Sequence, residues 1–183
     1  MVFSQTAKCE TKFSITVPRL TAGKYIKMED NKILNNLRTA GIEFGNLPKP
    51  GGSYVAVNIR GNIAYVAIQF PIKEDAFFFI GRLGENLTTE DGYQAARLAA
   101  INVLGQIHTF AGFDNIIGLN HADIYYRATE DWDEGPRVAN GASDLFLEML
   151  GDRGKHTRAI FGVDKLPRGF SVALTTSFTI KAA

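Results

Sequence analysis

Two side chains near the C-terminus carry the most usable chemistry. His156 and Arg158 stand two positions apart in Gly154-Lys-His-Thr-Arg158. In an extended chain that spacing puts both on one side. An ordinary imidazole changes charge near neutral pH, which makes His156 a candidate general acid or base. The planar guanidinium of Arg158 suits a carboxylate in a way that a lysine does not. Lys155 and Arg153 add local positive charge. The plain alternative for this segment is a solvated basic turn with an ordinary ion pair.

Three weaker constellations accompany it. His121 and Asp123 alternate onto one face of a strand, as a tuned acid–base pair or as a structural histidine. Asp131, Asp133 and Glu134 surround Trp132, where they could hold a cation or simply face water. The last strand has Phe170, Val172, Leu174, Thr176, Phe178 and Ile180 at its even positions, and Ser171, Ala173, Thr175, Ser177 and Thr179 at its odd ones. Period-two alternation sends these to opposite faces, one apolar and one small and hydroxyl-rich. The second face is either solvated or a wall of a polar cleft.

Several chemistries are excluded. Cys9 is the only cysteine, so there is no intrachain disulfide and no cysteine-based metal site. His108, His121 and His156 form no HxxxH or HExxH pattern. No phosphate-cradling glycine motif and no GxSxG nucleophile elbow occurs. A net charge of +1 supplies no basic field for a polyanion, which speaks against nucleic acid as the main partner. No apolar run approaches the ~20 residues of a membrane span, and Met1 to Glu10 lacks the apolar block of a signal peptide. The expectation is a cytoplasmic protein with no metal and no cofactor.

The elements that must position these residues follow from periodicity. Residues 1–30 form an N-terminal extension, with a strand-like Lys12–Val17, and 31–183 form one domain. A short helix is predicted over 31–44, then a Pro/Gly turn at 48–52. Strands at 54–59 and 63–70 form a hairpin, and 77–80 reads as a short apolar strand. Thr88 caps a helix to about 110, with Asp91 placed to reach back. A strand at 115–126, a helix at 137–150 and strands at 157–163 and 169–180 complete the order β-β-β-α-β-α-β-β. That order suggests an α+β sheet with both long helices on one face. The bare face then implies oligomerisation.

This order and its motifs resemble the YjgF/Rid family, also called endoribonuclease L-PSP. The carrying pieces are Leu37-Arg-Thr-Ala-Gly-Ile42 with Leu47-Pro-Lys-Pro50, Gly52-Ser-Tyr54, and Gly61-Asn-Ile-Ala-Tyr-Val-Ala-Ile-Gln69. Glu90-Asp-Gly-Tyr-Gln-Ala-Ala-Arg-Leu-Ala-Ala100, Val138-Ala-Asn-Gly-Ala-Ser-Asp-Leu145, the Arg158 segment and Gly162-Val-Asp-Lys-Leu-Pro167 continue it. The resemblance implies a chorismate-mutase-like mixed sheet. It also implies a homotrimer with a barrel-like core, and a cleft between neighbouring subunits that binds a small molecule. Arg158 falls at the family's carboxylate-gripping arginine, Tyr54 at a cleft aromatic, Asn140 at a polar residue beginning the second long helix, and Gln69 in a cleft strand.

Departures matter as much. Ala173 stands where the family's deaminases carry a water-orienting glutamate, and Ile160 where a cysteine is common. The usual Ser-Gly-Gln reads Ala67-Ile-Gln69. Ser171 and Thr175 could hold a water, but hydroxyls are poor bases. The resemblance implies imine or enamine hydrolysis, or a related tautomerisation, and the missing glutamate leaves hydrolysis without its usual water-positioning group. A recruited isomerase or cyclase, a non-catalytic ligand-binding trimer and a ribonuclease are the alternatives.

Overall fold

A computed structural model describes residues 32–182. The expected extension, 1–30, and its strand lie outside the described residues. A helix α1 (Lys32–Thr39) precedes a hairpin of β1 (Val57–Arg60) and β2 (Ile63–Gln69). A two-strand ribbon, β3 (Ile72–Lys73) and β4 (Ala76–Phe77), leads to the long helix α2 (Thr89–Ala111). Then come β5 (Ile116–Tyr126), α3 (Gly135–Leu150), β6 (Thr157–Gly162) and β7 (Val172–Ile180). The main sheet runs β1-β2-β7-β5-β6. Only β5 and β6 pair in parallel; every other neighbour is antiparallel. The α+β sheet expected from periodicity is present, mixed as the resemblance implied, and α2 and α3 pack together over its inner face.

The inner face follows from alternation. Val172, Leu174, Phe178 and Ile180 of β7 are buried against the helices, together with Ala122 and Ile124 of β5. The helices reply with Ala95, Ala99, Val103 and Ile107 from α2, and Val138, Ala142, Leu145 and Met149 from α3. The α2 start is the capping box anticipated. Thr88 Oγ1 accepts from the Asp91 amide at 3.1 Å, and Asp91 Oδ2 accepts from the Thr88 amide at 2.8 Å. Two buried amides on α2 tie down the loops. Asn102 donates to Phe70 O and Ile72 O at 3.0 and 2.8 Å, and Gln106 to Pro48 O at 2.7 Å.

Four boundaries differ from expectation, each for a backbone reason. α1 stops at Thr39 because Gly41 turns to φ +67. β1 starts only at Val57, leaving Tyr54 in the preceding loop. Residues 77–80 are no regular strand: Glu74 and Asp75 turn the ribbon at positive φ, Phe79 is also at φ +54, and only Ile80 bridges to Phe170. α3 begins earlier, at Gly135, because Pro136 suits the first helical turn.

The α2–α3 contact depends on Gly141. A Cβ there would stand 2.0 Å from Tyr93 O, a backbone atom that cannot step aside. Gly141→Ala is expected to cost about 1–3 kcal/mol by overpacking. Gly52→Ala, whose added atom would meet only the Tyr54 ring at 3.6 Å, should be neutral. An unchanged thermal midpoint for Gly141→Ala contradicts this packing.

Candidate active site

Edge strand β6 carries Arg158. Its Cα lies opposite Ala122, whose other neighbour is Thr176, so this row belongs to the inner face. The side chain reaches α3. Nη1 donates to Asn140 Oδ1 at 2.9 Å and to Ser143 Oγ at 3.0 Å, and Nη2 leans on Pro136 O at 3.4 Å. Asn140 and Ser143 are one helical turn apart and present their oxygens on one face. All three partners are neutral oxygens. Among the described residues no carboxylate comes within ion-pair distance of Arg158, and its Nε–H and one Nη2–H have no partner.

His156 arrives beside it by a tight route. After α3 the chain makes a 3-10 turn, Gly151–Gly154. A Cβ on Gly154 would lie 2.2 Å from Phe146 O, so only glycine lets this turn press against the helix. His156 Nδ1 then stands 2.7 Å from Gly154 O and Nε2 3.1 Å from Ser143 Oγ. A carbonyl cannot donate, so Nδ1 carries the proton and Nε2 of the neutral ring accepts from the Ser143 hydroxyl. The ring meets Phe146 edge-on at 5.7 Å. Burial pushes the His156 pKa below its ordinary value, the Gly154 carbonyl opposes that, and the charges of Arg158 and His121 lower it further.

The structure thus brings Arg158, Asn140 and His156 together, and adds Ser143, which sequence reasoning had missed. The signal was present: Ser143 stands three residues after Asn140 in a helical segment. Ile160 shares the face of Arg158 but packs against the core. The remaining candidates lie elsewhere within the chain. Ala173 and Thr175 are opposite Tyr125 and Asp123, on the outer face of the sheet. Ala173 is fully buried, in the row of the stacked Tyr125 and Phe161 rings. Ser171 is buried, and its hydroxyl has no partner among the described residues. Gln69 is buried and donates to Ala67 O at 3.0 Å, while its Oε1 has no partner among the described residues. Tyr54 is 50% exposed, and its hydroxyl accepts from the Gly51 amide.

The outer face holds the second histidine. His121 Nε2 meets Asp123 Oδ1 at 3.1 Å, and Nδ1 meets Thr157 Oγ1 at 2.8 Å. Thr175 Oγ1 donates to Asp123 Oδ2 at 3.1 Å. The pair is real, but the sheet separates it from the Arg158 side chain. The acidic loop is largely occupied or open to water: Glu134 accepts from Thr89 and Arg137, while Asp131 and Asp133 are exposed.

A pH test follows from the buried imidazole. Above ~6.5, the value of an unfolded histidine, both folded and unfolded chains carry a neutral ring. Below it the unfolded chain takes up a proton that the folded one resists, so stability falls. His108, also lowered by burial against the pull of Asp114, acts with the same sign. The thermal midpoint is expected to drop between pH 7.5 and 5.5, less steeply in His156→Gln than in wild type. Equal slopes contradict the buried neutral ring.

Comparisons with known proteins agree with this architecture. Residues 35–179 match the family model described as "YjgF/chorismate_mutase-like, putative endoribonuclease". Protein TCP17 of Trypanosoma cruzi is 32% identical over 143 residues, covering 77% of this chain and 89% of its own length. Among solved structures, a protein from Shewanella oneidensis described as a "putative endoribonuclease" superposes with a TM-score of 0.79 at 27% identity, over 81% of this chain and 99% of its own. The protein Atu1372 of Agrobacterium tumefaciens, of unknown function, gives 0.74 at 29% identity, over 82% and 92%. With its mixed sheet, its two covering helices and a match that runs through nearly all the described residues, the chain belongs to the YjgF/chorismate-mutase-like family.

Proposed function

We propose that the chain is a small-molecule enzyme that holds a carboxylate or 2-carbonyl compound on Arg158. The reaction is imine or enamine hydrolysis or the related tautomerisation. One observation carries the reading: among the described residues, this half-buried guanidinium is held only by neutral oxygens and has no carboxylate within ion-pair distance. Such a group is an anion receptor with an unmet charge, and its unpartnered Nε and Nη2 protons suit a two-oxygen anion. Asn140 and Ser143 fix the fork before a ligand arrives, which cuts the ordering cost of binding.

In hydrolysis, water adds to the C=N carbon, and the amine then leaves as ammonia with a proton from the site, giving the 2-oxo acid. In tautomerisation a proton moves between carbon and the adjacent nitrogen or oxygen. Both develop charge next to the carboxylate, where a fixed cation is stabilising. Ala173 supplies no acid or base, so His156 takes that role; it is the titratable side chain tied to the same serine as Arg158. Tyr54, Gln69, Ser171 and Thr175 enter as cleft residues only through a neighbouring subunit or across the sheet edge. A recruited isomerase is the second reading, favoured by Ala173, which leaves hydrolysis without its usual water-orienting carboxylate.

We also propose a homotrimer. The outer face exposes Tyr65 and Phe161 beside the His121–Asp123 pair, and a family-type trimer would cover it. Sedimentation should give three chains per particle; a stable monomer contradicts it. Arg158→Ala should weaken binding of a small 2-oxo acid by ~2–5 kcal/mol with the fold intact. Arg158→Lys should recover only part, because the fork is lost. Calorimetric titration with unchanged affinity in Arg158→Ala rules out the assignment.

A further inference from the structure

The hydroxyl of Ser143 is placed between a base and a cation. It donates to His156 Nε2 at 3.1 Å and accepts from Arg158 Nη1 at 3.0 Å. The base is itself oriented, because Nδ1–H is tied to Gly154 O at 2.7 Å. This is the order donor, base, orienter that activates a hydroxyl elsewhere in enzymology, here with a main-chain carbonyl as the orienting group. The guanidinium adds something a plain Ser–His pair lacks, since it stabilises the oxygen whenever its proton has moved to the imidazole. Ser143 and His156 are both half-buried, so their contact is partly shielded from water.

We propose that Ser143 is the proton carrier of this site, exchanging protons between the ligand held on Arg158 and the imidazole of His156. The inference rests on the carboxylate reading of Arg158. It gives Ser143 a role in the 1,3-proton shift of the small 2-oxo or 2-imino acids, with a hydrogen on C3, that this reading already supposes. The step balances. A C3 proton passes to Ser143 Oγ as the serine's own proton passes to His156 Nε2. The C3–H electron pair becomes the C2=C3 bond, and the C2=O or C2=N π pair moves onto the heteroatom. The proton on Nε2 then returns through Ser143 to that heteroatom, giving the enol or enamine. Nothing is oxidised or reduced, and no water is consumed. The reverse path returns the 2-oxo or 2-imino form.

A neutral imidazole is needed to begin the cycle, and burial favours it. The charged or titratable groups acting on the ring are Arg158 and His121, and both also favour the neutral form. Phe146 closes its other side. No carboxylate is within ion-pair distance of His156 to hold the ring charged among the described residues. Asn140, by contrast, is an amide with no exchangeable role at neutral pH, and serves Arg158 alone.

The test uses the full-length protein with 2-oxobutyrate in D2O. Binding is followed by calorimetry, and deuterium entry at C3 by proton NMR. Wild type should bind the acid and speed exchange. Ser143→Ala should bind it more weakly, because Arg158 loses one of its supports, and at saturating acid should exchange about 10²–10⁴-fold more slowly, the usual contribution of a positioned proton-transfer group. His156→Gln should show a similar loss and abolish the fall in rate on acidification that wild type shows. Ser143→Thr, which keeps a hydroxyl, should recover part of the rate. Binding with wild-type exchange in Ser143→Ala overturns the carrier role while leaving the carboxylate reading intact. Absence of 2-oxobutyrate binding in wild type overturns both.

Discussion

The parallel pairing of β6 with β5 decides where the candidate chemistry sits. A parallel neighbour cannot be reached by a hairpin, so the chain must leave β5, cross the inner face as α3 and return to the same end. That crossing lays the middle of α3 beside the start of β6. Asn140 and Ser143 therefore face Arg158, and the turn closing the crossover delivers His156 to the same serine. The two close glycine contacts serve this crossing. Gly141 lets α3 settle against α2, and Gly154 lets the return turn press on Phe146. An edge strand also leaves one side open, so a ligand can approach Arg158 without crossing the core.

Arginines of this chain are held in two ways. Arg97 and Arg82 pair with carboxylates, Glu148 and Asp164, whereas Arg153 rests on the main-chain carbonyls of Phe113 and Ile116. Arg158 is held by an amide oxygen, a hydroxyl and a main-chain carbonyl. These satisfy its geometry without cancelling its charge. The arrangement orients the fork, adds to burial in lowering the pKa of the neighbouring imidazole, and leaves the charge free of a carboxylate among the described residues.

Much of this was legible in the sequence, and the reasons it stopped are physical. Long periodic segments with clear ends, such as α2 with its Thr88 cap, read correctly because local chemistry decides them. Residues 77–80 misread as a strand because a run of Phe looks extended, while positive φ at Glu74, Asp75 and Phe79 actually bends it. His156 and Arg158 were linked by alternation, yet what joins them is Ser143, which belongs to a helix earlier in the chain. Alternation within one strand says which residues share a face but not which face. That is why Ala173 and Thr175 proved to lie across the sheet from Arg158. Sheet order and the β5–β6 register settle that, and both depend on contacts between distant segments.

The central claim is that Arg158 is a preset and uncompensated anion receptor. Nitrogen NMR of the arginine Nε–H groups tests it directly, because a fixed guanidinium gives a resolved signal that responds to a bound carboxylate. The account predicts a sharp Nε–H resonance missing in Arg158→Lys. It should move on addition of 2-oxobutyrate and stay still with butanone, which lacks the carboxylate. A resonance assigned to Arg158 that ignores the acid as it ignores the ketone contradicts the account.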